Sequence, residues 1–422
     1  MAAPRFRMTR ALREFLQEES ASAFVLVGAA TLAMIWANSA FGDSYQEFWH
    51  HELTIGGLLG GNLAITEDLE HWVNDALMVL FFFVVGLEIK RELAVGELRS
   101  PRAAAMPAIA AAGGVVVPAL IFVALAPGGE ARHGWGIPMA TDIAFAVGAL
   151  ALLGSRASGG AKLLLLSIAI VDDIIAILVI AVFYTDDLAP AWLLLGVGAV
   201  LAMLLMRRWV PWSAVYVIPG VVLWYALYRS GVHATLAGVI CGLLTPAGPV
   251  RGRDVLDSLV HRLHPISAFV VLPVFALANA GLDLRGGLLG EALGHRLPWA
   301  VATALVVGKT LGISAATLAA VRLRLGDLPS DMRLRELGPL AALGGIGFTV
   351  SLFIADLAFE DELLVDEAKV GVFIGSITAG ALGLAWLRVV GEKRPSDDGS
   401  DDAGSEGGSD GAGAVRGTGA AS

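Results

Sequence analysis

The stretch LLLLSIAIVDDIIAILVIAVFYT, residues 163–185, constrains this chain more than any other. It is mostly aliphatic and carries no charge except Asp172 and Asp173, side by side near its middle. A helix needs roughly 20 apolar residues to cross about 30 Å of hydrocarbon, and this stretch supplies them. The sequence holds a dozen runs of this kind, and 56% of its 422 residues are hydrophobic. Soluble domains are about 45–50% apolar and lack such repeated runs. A membrane barrel would instead show segments of about ten residues with alternating polarity. The fold class is therefore an all-α polytopic membrane protein with the lipid bilayer as its main partner. Nothing in the composition points to nucleic acid.

Twelve transmembrane helices are expected, at roughly 21–40, 70–89, 103–126, 134–153, 161–184, 190–206, 212–228, 231–246, 264–281, 298–320, 338–358 and 367–390. With the N-terminus inside, the inner loops and ends carry 23 Lys and Arg, the outer loops carry five, and Lys309 lies within a span. That positive-inside bias places both termini in the cytoplasm. Residues 1–20 are basic and amphipathic and read as a cytoplasmic interfacial segment, with no cleavable signal peptide. The core that holds the twelve spans is residues 21–390. Within it, 50–66 contains two short β-prone pieces, ELTI and LAIT, around a Gly-rich turn, and reads as an extracytoplasmic β-hairpin or an irregular loop. Residues 391–422 are acidic, Gly/Ser-rich and expected to be a disordered cytoplasmic tail. Much of the net charge of -10 comes from that tail. Cys241 is the single cysteine, so no intrachain disulfide can form.

Charges at bilayer depth are costly and face a cavity or a partner. An aspartate at a helix centre costs roughly 2.5–3.5 kcal/mol to insert. Asp172 and Asp173 are too deep to reach either surface, and consecutive helical residues point about 100° apart. The pair can therefore serve two partners or line one cavity. Lys309, in ALVVGKTLGIS, is equally deep and is the obvious counter-charge. It is either a structural cation or one that yields its carboxylate when an ion arrives. Asp142, in GIPMATDIAFAVGA, is a third intramembrane acid, and Thr141 before it offers hard oxygen donors. Asp142 also fits a helix N-cap, and the two readings agree if the helix breaks inside the membrane.

A second break is expected in PLAALGGIGFTVSLFIADL, where Gly344, Gly345 and Gly347 cluster in mid-span. Glycine disfavours a continuous helix there, although small residues also allow close helix packing. Spans 4 and 11 are the second members of two triplets, 3–5 and 10–12, that enter the membrane from opposite sides. Interrupted spans at matching places in inverted repeats point to a transporter site.

Seven motifs, in order, resemble the NhaA family of sodium/proton antiporters: GLEIKREL (86–93), ATDIAF (140–145), VDD (171–173), SGVHATLAGV (230–239), LPVFALANAG (272–281), GKTLGIS (308–314) and GGIGFT (344–349). The resemblance covers about residues 10–390. It implies inverted-topology repeats in which discontinuous helices 4 and 11 cross at the midplane, with Asp142 and Lys309 compensating the charge of the half-helix ends. It implies that Asp172 and Asp173 bind Na⁺ and carry protons, with Asp173 the direct ligand, Thr141 contributing, and Asp172 sharing the role or pairing with Lys309. Glu88, Arg91, Glu92, His261 and His264 match the family's pH-responsive region. The hairpin matches its dimer-forming element, which implies a homodimer. Two departures stand out. LVHRLHP (259–265) has Val260 where the family commonly carries an acid, with Asp257 a turn earlier as a possible substitute. Thr310 follows Lys309 where proline is common.

The expected function is secondary transport in the bacterial cytoplasmic (inner) membrane, not an enzymatic reaction. Na⁺, and Li⁺ with it, would leave in exchange for external H⁺, electrogenically and with activation at alkaline pH, serving sodium and pH homeostasis. The ions are cargo; no cofactor and no organic substrate are implied. Two rivals come from other classes. One is a sodium-coupled organic-solute symporter, separable by uptake of a labelled solute. The other is an intramembrane enzyme with an Asp-rich metal site, which would need repeated Asp clusters with basic partners.

Overall fold

In hydrocarbon every backbone amide must find its partner within the protein, and a helix satisfies this locally. The apolar runs accordingly fold as helices. The computed structural model describes residues 10–391 except 57–63, 154–155, 186–187, 208–209, 211–212, 251, 253, 286 and 330. The expected disordered tail and the hairpin's Gly-rich turn lie outside the described residues.

The helices that build the bundle are α1 (Arg10–Ala37), α2 (Leu69–Ala94), α3 (Pro101–Leu125), α4 (Ile143–Leu152), α5 (Gly159–Phe183), α6 (Pro190–Met206), α7 (Val217–Tyr228), α8 (Leu236–Leu244), α9 (Val255–Asn279), α10 (Arg296–Arg322), α11 (Leu334–Leu343), α12 (Phe348–Ala358) and α13 (Glu362–Val390), with short helices at Gly42–Trp49 and Leu288–Gly294 between them. A 3₁₀ segment, Gly129–Met139, precedes α4. Seven helices are long and apolar enough to cross a membrane: α1 from Glu19, α2, α3, α5, α9, α10 and α13. The Gly129–Met139 segment with α4, and α11 with α12, make two further candidates bent by 48° and 47°. The remaining expected spans appear as the shorter helices α6, α7 and α8.

The N-terminal arm is not set apart. Helix α1 runs unbroken from Arg10 to Ala37, because Gly and Pro are absent from residues 10–27 and nothing in that stretch stops a helix. Residue Glu19, assigned from sequence to the arm, therefore enters the bundle and is 6% exposed.

The helices pack in two groups that touch each other through α2, α5, α9 and α12. One joins α3, α5 and α10 with α11, α12 and α13; the other joins α2 with α8 and α9, and α7 with α6 and α8. Helix α1 packs against both α4 and α9. Close backbone approach holds each group together, as small residues do where lipid gives no hydrophobic drive between helices. A methyl on Gly308 of α10 would come within 2.7 Å of Pro118 Cα in α3, and one on Gly242 of α8 within 2.6 Å of the Gly86 carbonyl carbon in α2.

The expected hairpin forms from β1 (Glu52–Ile55) and β2 (Ile65–Asp68), antiparallel, with Thr54 opposite Thr66. Trp72 Nε1 donates to Leu53 O at 2.9 Å and ties the hairpin to α2. Nearby, the Arg285 guanidinium bridges Asp283 and Asp43, each at 2.8 Å, and its hydrogen bonds hold the Asp283 carboxyl below the usual range.

Candidate ion-binding site

The two bends face each other, and each is built from local chemistry. Before α4 the chain is extended at Ala140 and Asp142, and the Asp142 carboxylate caps α4 by accepting from Phe145 N at 3.1 Å. The other oxygen of the same carboxylate accepts from Thr349 N at 3.1 Å and Thr349 Oγ1 at 2.5 Å, at the start of α12. One buried carboxylate thus meets the positive ends of two half-helices, where a negative charge is stabilised. The backbones also join directly: Asp142 N donates to Ile346 O at 2.6 Å. From α13, Ser376 Oγ accepts from Gly347 N and Phe348 N at 3.3 and 3.2 Å, completing the cap of α12.

The glycines of the second bend are needed for space. Gly344, Gly345 and Gly347 are absent from the positive-φ residues, so the backbone conformation itself does not demand them. A methyl on Gly345 would lie 2.5 Å from Leu305 O and one on Gly344 2.8 Å from Ile313 Cδ1. The two sequence readings, helix break and close packing, hold together: the bend brings backbone against backbone.

Lys309 reaches this crossing from α10 and is fully buried. A π-turn, Ala304–Gly308, immediately precedes it, an irregularity that re-aims side chains and recurs at functional sites. The hydroxyl of Thr310, which follows Lys309, is turned back on its own helix and donates to Val306 O at 2.6 Å. Lys309 Nζ donates to Asp172 Oδ2 at 2.5 Å and to Thr141 Oγ1 at 3.0 Å. Thr141 Oγ1 in turn donates to Gly344 O at 2.8 Å. The cation therefore reaches a carbonyl near the end of α11 through a hydroxyl relay. The Thr141 hydroxyl is committed in both directions in this state.

One helical step gives the two aspartates different surroundings. Asp172 is 1% exposed and paired with Lys309, and its Oδ1 has no hydrogen-bond partner among the described residues. Asp173 makes neither hydrogen bond nor ion pair among the described residues, and it lines a cavity with Thr141, Asp142 and Thr349. That cavity extends to Glu19, Glu88 and His264. There His264 Nε2 is 2.8 Å from Glu19 and 3.6 Å from Glu88.

Of the residues matched to pH response, the structure brings together Glu88 and His264. Arg91 and Glu92 lie on the following turn of α2, outside the cavity wall, and His261 is exposed with Nδ1 2.8 Å from Asp257 O. Val260 is buried against Leu87 and Leu256. Asp257 is exposed at the start of α9 and does not replace an acid in the cluster. Glu19 supplies that acid. Sequence reasoning missed it because an acid in a charged, amphipathic stretch reads as a solvated face; the unbroken helix from Arg10 was the available signal.

Buried charges gathered where two bent helix pairs meet, inside a polytopic helical membrane protein, define the class of secondary transporters with broken helices. The profile described as Na+/H+ antiporter 1 matches residues 13–387. The chain is 45% identical over 417 residues to a protein named Na(+)/H(+) antiporter NhaA 3 from Frankia alni, covering 91% of this chain and 89% of that one. It is 46% identical over 395 residues to Na(+)/H(+) antiporter NhaA of Escherichia coli O6:K15:H31, and 44% over 391 residues to that of Shewanella pealeana. Those alignments cover 91% and 92% of this chain and 99% of each relative. The chain belongs to the Na+/H+ antiporter 1 family.

Proposed function

We propose that this protein exports Na⁺, and Li⁺ with it, in exchange for external H⁺ across a bacterial cytoplasmic membrane. The observation that carries the reading is Asp173: a carboxylate that lines the cavity without a hydrogen-bond or ion-pair partner among the described residues, beside a second carboxylate held by a buried lysine. A lone buried carboxylate is stable when it holds a proton or a cation, and it cannot hold both. Na⁺ arriving through the Glu19–Glu88–His264 vestibule displaces the proton on Asp173 and draws on Asp172 as Lys309 turns toward Thr141. A swing of the bent pairs then exposes the site to the other side, where protonation releases the ion. Exchange of more protons than sodium ions makes the cycle electrogenic, and the membrane potential contributes roughly 2.3 kcal/mol per charge per 100 mV.

The same reading includes twelve crossings, with α6, α7 and α8 each passing the membrane as short helices. It relates α3–α5 to α10–α13 by inverted topology and puts both termini in the cytoplasm, in line with the Lys and Arg bias. The His264 cluster lies in the ion's entry path, which supports alkaline activation and a role in sodium and pH homeostasis. The hairpin pairs with that of a second copy. Reconstituted protein, loaded at several pH values, should respond to Na⁺ and Li⁺ with proton flux and not to K⁺. Absence of Na⁺-driven flux across that range would reject the exchange.

A further inference from the structure

At the end of the bundle opposite the cavity lies a second charge cluster, built around a buried lysine. Lys369 of α13 is 7% exposed; its Nζ is 3.0 Å from Asp356 of α12 and 3.6 Å from Glu70 of α2. Asn74 of α2 donates to Asp356 Oδ2 at 3.3 Å and exchanges hydrogen bonds with Asn279 of α9 at 3.1 and 2.9 Å. Asn74 lies in a π-turn, Val73–Leu77, which shifts the register of its side chain. Along α2, Asn74 stands 14 residues from Glu88, or about 21 Å. Along α9, Asn279 is 15 residues from His264, about 22 Å by the same rise.

Between the two clusters the way is filled by aromatic rings. Phe82 of α2 and Phe275 of α9 both pack on Phe353 of α12, at ring-centroid distances of 5.3 and 6.3 Å. All three are buried. The cavity reaches Asp173 from the Glu88 side, and the aromatic layer with the charges above it closes the other.

We propose that Lys369, Glu70, Asp356 and Asn74 form an outer latch that sets the balance between inward-facing and outward-facing states. This rests on the exchange proposed above. Lys369 and Asp356 belong to the group of α3, α5 and α10–α13; Glu70, Asn74 and Asn279 belong to the group of α2 and α6–α9. The Lys369–Glu70 pair and the Asn74–Asp356 hydrogen bond therefore cross the boundary along which the groups must move. A rigid-body swing that opens this end separates both. A contact made only in one state biases the equilibrium by its free-energy difference between states. A half-buried ion pair suits that role, because the Coulomb gain is largely offset by the desolvation penalty. Opening lets water reclaim the ions, so the latch holds without locking. The Lys369–Asp356 pair stays within one group and keeps the cation in place when the ends part.

The test reads geometry rather than transport. In a Cys241→Ser background, Ala276→Cys places a thiol one turn inward of Asn279, at a fully buried position. Ala268→Cys places one in the cavity wall. A membrane-impermeant maleimide is applied separately from each side of reconstituted vesicles. With the latch intact, Ala268→Cys labels from the cavity side and Ala276→Cys labels slowly from the other. Glu70→Gln and Lys369→Met should each raise Ala276→Cys labelling about fivefold or more and lower that of Ala268→Cys, within the usual range of coupling between conformational states. Lys369→Arg, which keeps the charge, should raise it less than Lys369→Met. Where Lys369→Met does not fold, Glu70→Gln decides, since it leaves the Lys369–Asp356 pair. Unchanged labelling in Glu70→Gln overturns the latch, even where Na⁺-driven proton flux is intact. A labelling shift in a protein without such flux leaves the latch standing and removes the exchange reading instead.

Discussion

Asp173 faces open space and Asp172 faces an ammonium, so the two carboxylates answer differently to the same substitution. Asp173→Asn removes a titratable group that has no partner to lose. The protein should insert and elute as the parent does while Na⁺-driven proton flux disappears; near-normal flux would remove Asp173 from the site. Lys309 is the harder case. Lys309→Ala leaves the Asp172 carboxylate buried without its cation, which costs about 3–5 kcal/mol for pairs of this kind and should lower the thermal midpoint sharply. Lys309→Arg keeps a charge that is never given up, at some expense in overpacking. It should retain measurable exchange and its voltage sensitivity if the lysine serves only to hold Asp172 and Thr141. Active exchange without voltage sensitivity would make Lys309 a proton carrier. These deep charges were legible because nothing but function or a partner keeps them in an apolar run. Glu19, Glu70 and Asp356 were not legible: Glu19 lies in a charged, amphipathic stretch and the other two near helix ends, places where a charge ordinarily meets water, and only the packing buries Glu19 and half-buries Glu70 and Asp356.

At the scale of the element, the bends depend on what the partner chain segment leaves room for. Asp142 caps two helices at once, and Ser376 caps the second from a third helix, so the crossing is held by side chains from α4, α12 and α13 together. Gly345→Ala must displace the Leu305 carbonyl, a backbone atom that cannot rotate away. Gly380→Ala, on α13, meets only Ile346 Cδ1 at 3.5 Å, an ordinary contact. Overpacking against fixed atoms costs about 1–3 kcal/mol or more. Gly345→Ala should therefore lose most exchange and several degrees of thermal stability while Gly380→Ala keeps both, as paired flux and melting measurements would read. Equal behaviour of the two variants would mean that the crossing tolerates backbone shifts. The glycine cluster was visible in sequence, but its purpose was not, since a break and a close approach leave the same residues behind. The π-turns before Lys309 and around Asn74 left no sequence mark, because an added residue per turn depends on tertiary partners.

The whole molecule presents two ends of different character: at one the cavity that leads to Asp173, at the other the latch and, beside it, a two-stranded hairpin. A two-stranded sheet alone is marginally stable in water. This one exposes all of β1, including Leu53 and Ile55, 42% and 50% accessible. Such an edge offers unpaired backbone groups to another strand, and the dimer proposed above takes that strand from a second copy, which a membrane protein meets in fixed orientation. The hairpin is tied to the helices by Trp72 Nε1 on Leu53 O, by the Asp68 cap of α2, with His71 N donating at 2.7 Å, and by the Tyr228 hydroxyl of α7 on the Glu67 carboxylate. Deletion of residues 50–66 spares Asp68 and hence the cap. It should reduce the dimer fraction after detergent extraction, measured by cross-linking or light scattering, while exchange per protomer survives. The expected asymmetry follows from distance: the deleted strands touch neither the Asp142 crossing nor the Lys309 pair, whereas they carry an exposed edge capable of intermolecular pairing. A dimer fraction that does not change would move the contact between copies to the lipid-facing helices. Loss of exchange with the dimer intact would instead mean that the hairpin supports the start of α2, where Glu70 and Asn74 hold the outer end.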